Sequence, residues 1–230
     1  MRTIAIALFF VLGLAGWIAG QTDNPNGGAK RPLDLPSGGN GDDDEEEDEP
    51  ESITYYGAEY EGDAFFWCLD KSCSMGWQGE IYTLKSETSS AVQQLSSRAE
   101  FAMVAFNTTY DVWPQSEMPV KASTINKTSA NAWIQSLQPD GVTCVAAAAV
   151  KTLQVAHQSS RHKRVMIMLG DGQPVCPGGS VTDGDVLGDI AAANYEGITI
   201  NTLYISASPE GMDLFQAIAA QNNGTFTVVD

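Results

Sequence analysis

The stretch FFWCLDKSCSMG, residues 65–76, decides how this chain is read. The wider run AFFWCLD, residues 64–70, shows no polar alternation. A strand with one wet face alternates, so a short continuous apolar run predicts a strand buried on both faces. The run stops at Asp70, and Ser72 and Ser74 follow at two-residue intervals. Three small oxygen-bearing side chains thus stand where a buried strand ends. Helix caps, a serine nucleophile and an oxygen cage for a hard cation compete to explain them.

Outward from this stretch, apolar runs alternate with helical patterns. Residues 79–99 place Ile81, Leu84, Val92, Leu95 and Ala99 at helical spacing. EFAMVAFN (100–107) is a second strand, and TTYDVWP (108–114) an edge strand before Pro114. SANAWIQSL (129–137) is a helix broken by PDG, and TCVAAAAVKTLQVAHQ (143–158) an alanine-rich helix capped by Thr143. RVMIMLGD (164–171) is a third buried strand. A helix (184–197), a strand (198–206), a helix (210–224) and a last strand (225–230) complete the series. Such alternation implies right-handed crossovers and a mainly parallel sheet. Ligands of open sheets gather beyond the carboxyl ends of the strands. Asp70 and Asp171 each end a strand, and Thr143 starts a helix, so all three fall on one rim.

The first fifty residues differ in kind. A basic start, an apolar run over residues 4–20 and small residues Ala19 and Gly20 predict an export signal, residues 1–20. An uncleaved anchor is the alternative, although this run is at the short end for crossing a bilayer. No cysteine lies near the cleavage region, which argues against a lipoprotein. Residues 21–53 are rich in Gly, Pro and Asn, and nine of the ten positions 42–51 are acidic. Such a block repels itself and forms an extended, disordered linker, with a tail for cations or a cationic partner as the sharper alternative. Residues 54–230 are then the folded domain. The net charge is −17, and only 12 residues are Lys or Arg. Nucleic-acid binding is excluded on that ground, because phosphate contacts need clustered cations. The expected location is secreted, periplasmic or at the cell surface, with no membrane contact beyond the export segment. Four cysteines, Cys68, Cys73, Cys144 and Cys176, are compatible with disulfides there and allow three complete pairings. Sequons stand at Asn107, Asn126 and Asn223.

SCSMG approaches the G-x-S-x-G elbow around Ser74, but its first glycine is replaced by Ser72. The two histidines, His157 and His162, fall towards the amino ends of the strands, beyond the reach a general base needs. No H-E-x-x-H, paired C-x-x-C or phosphate-loop pattern is present. A glycosidase pair of Asp70 and Asp171 leaves the hydroxyls unexplained. Caps explain each hydroxyl singly, but not their convergence with two aspartates. Magnesium wants oxygen ligands and keeps an open position. Two carboxylates with three hydroxyls meet that demand and leave the ion electron-poor, ready for a carboxylate from another molecule.

FFWCLDKSCSMG resembles the first strand and D-x-S-x-S motif of von Willebrand factor type A domains. LQPDGVTCVAAAAVKTL is similar to their threonine loop and helix, and RVMIMLGDGQP to their strand ending in an aspartate. The resemblance covers residues 60–230. It implies an α/β fold with a doubly wound, mostly parallel six-stranded sheet, flanked by helices and carrying one antiparallel edge strand. It also implies a metal-ion-dependent adhesion site made of Asp70, Ser72, Ser74, Thr143 and Asp171. The ion the resemblance implies is Mg2+, with Mn2+ or Ca2+ as alternatives, and a partner's Asp or Glu is expected to complete its coordination. Two departures stand out: Cys73 between the serines, and Gly170 where threonine often precedes the aspartate. A bridge among Cys73, Cys144 and Cys176 would staple the loops of the site. The expected function is a non-enzymatic, exported binding or adhesion module for a protein or surface ligand presenting Asp or Glu. An accessory subunit that recruits or organises a separate enzyme or surface assembly is the alternative.

Overall fold

The computed structural model describes residues 49–177, 181–205, 209 and 211–229. The expected export segment and residues 21–48 of the expected linker lie outside the described residues.

The central strand β3 (Ala64–Asp70) is buried along its whole length. Its side chains divide by the two-residue period of a strand. Phe65, Trp67 and Leu69 join one core cluster, and Ala64, Phe66 and Cys68 join the other. Covering both faces is what makes the run continuously apolar. The first face is covered by α1 (Glu80–Gln94), through Ile81, Leu84 and Val92, and by α2 (Thr124–Ser136), through Ala130 and Ile134. The second is covered by α3 (Val145–Ala156), α4 (Asp183–Ala193) and α5 (Met212–Gln221), through residues such as Leu153, Ile190 and Phe215.

A hairpin precedes this sandwich: β1 (Glu51–Tyr55) and β2 (Ala58–Gly62), paired antiparallel. Its turn residues Tyr56 and Gly57 both have positive φ, the twist-matched geometry of two-residue hairpin loops. Tyr55 is fully buried, and its hydroxyl meets Thr88 Oγ1 of α1 at 3.0 Å. The hairpin was not expected from the sequence. Its first strand begins at Glu51, inside the stretch assigned to the linker.

Among the described residues the sheet has seven strands rather than six, in the order β5-β4-β3-β7-β8-β9 with β6 also on β4. β4 (Glu100–Phe106), β7 (Arg164–Gly170), β8 (Thr199–Tyr204) and β9 (Phe226–Val228) continue the parallel core. The antiparallel edge is divided in two. β5 (Tyr110–Trp113) pairs with the end of β4, and β6 (Val120–Lys121) with its beginning. From β3 the chain winds first to β4 on one side, then crosses to β7 on the other. The direction of winding therefore reverses between β3 and β7, and in open sheets of this kind ligands gather beyond the carboxyl ends of the strands at such a reversal.

Candidate functional site

Register brings the two aspartates together. Leu69 pairs with Leu169, so Asp70 and Asp171 leave the sheet at neighbouring strand ends. Asp70 is 0% exposed and Asp171 7%. Asp70 Oδ1 accepts the Ser72 N–H at 2.7 Å. Ser72 Oγ lies 3.0 Å from Ser74 Oγ, and Ser74 Oγ donates to Asp171 Oδ1 at 2.8 Å. Four of the five expected residues thus form one chain of polar contacts.

The fifth, Thr143, arrives on a loop tied to the same rim by its backbone. Cys73 N–H donates to Gly141 C=O at 3.1 Å and Asp140 N–H to Lys71 C=O at 3.0 Å. Thr143 is buried, and its C=O accepts the Val175 N–H at 2.9 Å. Gly141 makes this loop feasible: its φ is +70°, and a Cβ there would lie 2.4 Å from Thr108 Oγ1. Asn107 serves as an anchor that the sequence reading passed over except as a sequon. It is buried, its Oδ1 accepts the Thr109 N–H at 3.1 Å, and its C=O accepts the Cys144 N–H at 2.9 Å. The available signal was its place just past the second buried strand, one residue beyond Phe106, the register partner of Asp70.

None of the three hydroxyl residues caps a helix through its side chain. Ser72 precedes the 3-10 turn Cys73–Gly76 and makes no side-chain cap bond. The cap position of α3 is Cys144, also without such a bond, which corrects the assignment of Thr143 as its cap. Both histidines lie away from this rim: His157 ends α3 against the ring of Tyr195, and His162 precedes the start of β7.

The cysteines resolve into one bridge, Cys144–Cys176, which joins the threonine loop to the segment after Asp171. Cys73 is free and exposed, so it takes no part in the staple for which it was a candidate. Cys68 is a buried thiol pushed up to about 12, chiefly by burial. Gly170 has a steric cause. A Cβ there would lie 2.6 Å from Phe215 Cζ and 3.1 Å from Asp70 Oδ2, so α5 fills the space a larger residue would need.

Electrostatically the site is unbalanced. Asp70 is pushed up to about 7, first by burial and then by the charge of Asp171, with the Ser72 N–H offsetting only part. Asp171 is also raised, chiefly by burial, while the Ser74 hydroxyl pulls the other way. Asp70 Oδ2 is buried and has no hydrogen-bond partner among the described residues. A buried carboxylate oxygen without a partner is costly, and a cation would offset that cost. Among the described residues no three His, Cys, Asp or Glu side chains converge. The donor set is therefore two carboxylates with neutral hydroxyls, which suits a hard divalent ion rather than one that selects nitrogen or sulfur.

A sequence profile of the family described as von Willebrand factor type A domain matches residues 69–228. No curated protein matches the chain by sequence. Among solved structures, a von Willebrand factor type A protein from Catenulispora acidiphila is 19% identical, with a TM-score of 0.59 over 74% of this chain and 39% of that one. The pilus adhesin SpaC from Lactobacillus rhamnosus GG, in its open conformation, is 15% identical, with a TM-score of 0.60 over 73% and 28%. Proximal thread matrix protein 1 from the mussel byssus, with a zinc-occupied metal-ion-dependent adhesion site, is 17% identical, with a TM-score of 0.54 over 74% and 44%. The chain spans less than half the length of each of these three.

Proposed function

This chain belongs to the von Willebrand factor type A domain family, and from that premise we propose an exported module that binds an acidic side chain of a protein or surface partner through a divalent cation. The single observation that carries the reading is Asp70 Oδ2, buried and without a hydrogen-bond partner among the described residues, at the strand end where Ser72 and Ser74 follow. Asp70, Ser72, Ser74, Thr143 and Asp171 would hold the ion, Mg2+ first and Mn2+ or Ca2+ as alternatives. The bound ion supplies a Lewis-acidic position that a partner's carboxylate can occupy.

The chain's own groups prepare that position. Ser72 N–H fixes the orientation of the Asp70 carboxylate, and Ser74 fixes that of Asp171. Two carboxylates would match the charge of a divalent ion, and the neutral hydroxyls add none, so this donor set would leave such an ion able to attract a third carboxylate. Burial excludes water from Asp70 and strengthens its field at the ion. The reading is non-enzymatic. An adhesin and a byssal matrix protein among proteins of similar fold agree with a role in attachment outside the cell.

The test is calorimetric titration of the full chain with Mg2+ and with Mn2+, followed by capture of partners from the native extracellular fraction with Mg2+ or with a chelator. Saturable binding that is lost in Ser74→Ala, with chelator-sensitive capture, is expected. Absence of cation binding in the unaltered protein overturns the reading. Capture that ignores the chelator overturns its partner half.

A further inference from the structure

The Cys144–Cys176 bridge lies between two loops that carry oxygens of the candidate site. Thr143 is the residue before Cys144. Asp171 opens residues 171–177, which contain neither helix nor strand and include Cys176. The Val175 N–H bond to Thr143 C=O sits one residue from the disulfide on both sides, so a backbone tether and a covalent tether act together. An irregular segment owes its shape to such tethers rather than to a ladder of repeating bonds. Cys144 is also anchored from the other direction, its N–H donating to Asn107 C=O at 2.9 Å. The bridge thereby joins the end of β4, the threonine loop and the loop of Asp171 into one unit.

We propose that the Cys144–Cys176 disulfide is a positioning element of the cation site. It holds Thr143 and Asp171 in one fixed arrangement, and opening it weakens binding of the divalent ion. The inference rests on the cation-binding reading above. Cys144 is 6% exposed and Cys176 is partly exposed, so a small reductant reaches the bridge from the Cys176 side. With a water-soluble phosphine the reaction balances as one disulfide, one phosphine and one water giving two thiols and one phosphine oxide. The phosphine gains the oxygen, and the two sulfurs gain two electrons and two protons.

The experiment compares the unaltered protein with Cys144→Ser/Cys176→Ser, both shown folded by circular dichroism, in titrations with Mn2+ alone. Removal of groups that orient metal ligands costs about 10–100-fold in affinity, and a loss of that size is expected. The electron paramagnetic resonance spectrum of the bound Mn2+ should change as well, because ligand geometry shapes it and global stability does not. Equal affinity with an unchanged spectrum overturns the inference while leaving the cation reading standing. No Mn2+ binding by the unaltered protein overturns both. If the double variant loses its fold, the same titration is made on native protein reduced with the phosphine. Undiminished affinity in the reduced, folded protein overturns the inference equally.

Discussion

Asp70 carries a charge that its surroundings oppose. In the protein alone its carboxyl is pushed up to about 7, first by burial and then by Asp171. Between its unfolded value near 4 and its folded value, the folded chain holds a proton that the unfolded chain has released. The proton excess on the folded side makes stability fall as pH rises through that window. In a chelating buffer the protein should lose on the order of 2–3 kcal/mol from this group between about pH 5 and pH 8. Urea unfolding of the protein and of Asp70→Asn at both values checks it, and equal slopes for the two would refute it. Gly170 is the second instructive residue. A methyl group there meets the Phe215 ring and Asp70 Oδ2, and overpacking of that kind costs about 1–3 kcal/mol. Gly170→Ala should show that loss in thermal unfolding and Phe215→Leu should recover part of it. The sequence reading could note that Gly170 departed from the family pattern. The cause lay in α5, forty-five positions further on, where only the folded chain brings the ring against the strand.

Elements were legible where one period dominated. β3 occupies the run AFFWCLD to the residue, and β4 and β7 each end one residue before the expected boundary. Continuous burial leaves a strand no other pattern to show. α2 begins at Thr124 instead of 129, because Ser123 accepts the Asn126 N–H and starts the helix early. The threonine at 143 read as a cap because caps and candidate ion donors are the same residue types in the same place. What separates them is where the hydroxyl points, and sequence does not encode that locally. The hairpin was missed for a different reason. Its alternation of Ile53 and Tyr55 with Ser52 and Thr54, and of Tyr60 with Glu59 and Glu61, lies beside an acidic block that dominates the composition. It is an integral part of the fold, packing Tyr55 onto α1 where its hydroxyl meets Thr88. Thr88→Val should therefore cost about 1–3 kcal/mol by leaving that buried hydroxyl unpaired, and adding Tyr55→Phe should recover much of the loss. A double-mutant cycle in urea measures the difference. Additive losses would mean that the hairpin is not held through this contact.

At the scale of the whole molecule, the candidate site exists only once the sheet has formed. Asp70, Thr143 and Asp171 are distant in sequence and share no element. They meet because β3 and β7 are adjacent and parallel, and because the threonine loop is tied across β3 and β4 by backbone bonds. A cation that needs all of these oxygens binds the folded chain and not the unfolded one, so binding must appear as added stability. At a cation concentration of about 100 Kd the gain is about 2.7 kcal/mol. For a domain of this size that raises the melting temperature by roughly 5–10 °C. Thr143→Ala should retain the fold and lose most of the rise. Asp70→Ala should lose all of it, yet without cation it should melt no lower than the unaltered protein, because the substitution also removes a buried oxygen that has no hydrogen-bond partner among the described residues. The two melting curves would then coincide, or reverse in order, when the cation is replaced by a chelator. Scanning calorimetry with Mg2+ and with chelator measures both states of both proteins. An Asp70→Ala variant that melts well below the unaltered protein in the chelator would show that the carboxylate stabilises the empty fold. That result would remove the physical reason for placing an ion beside it.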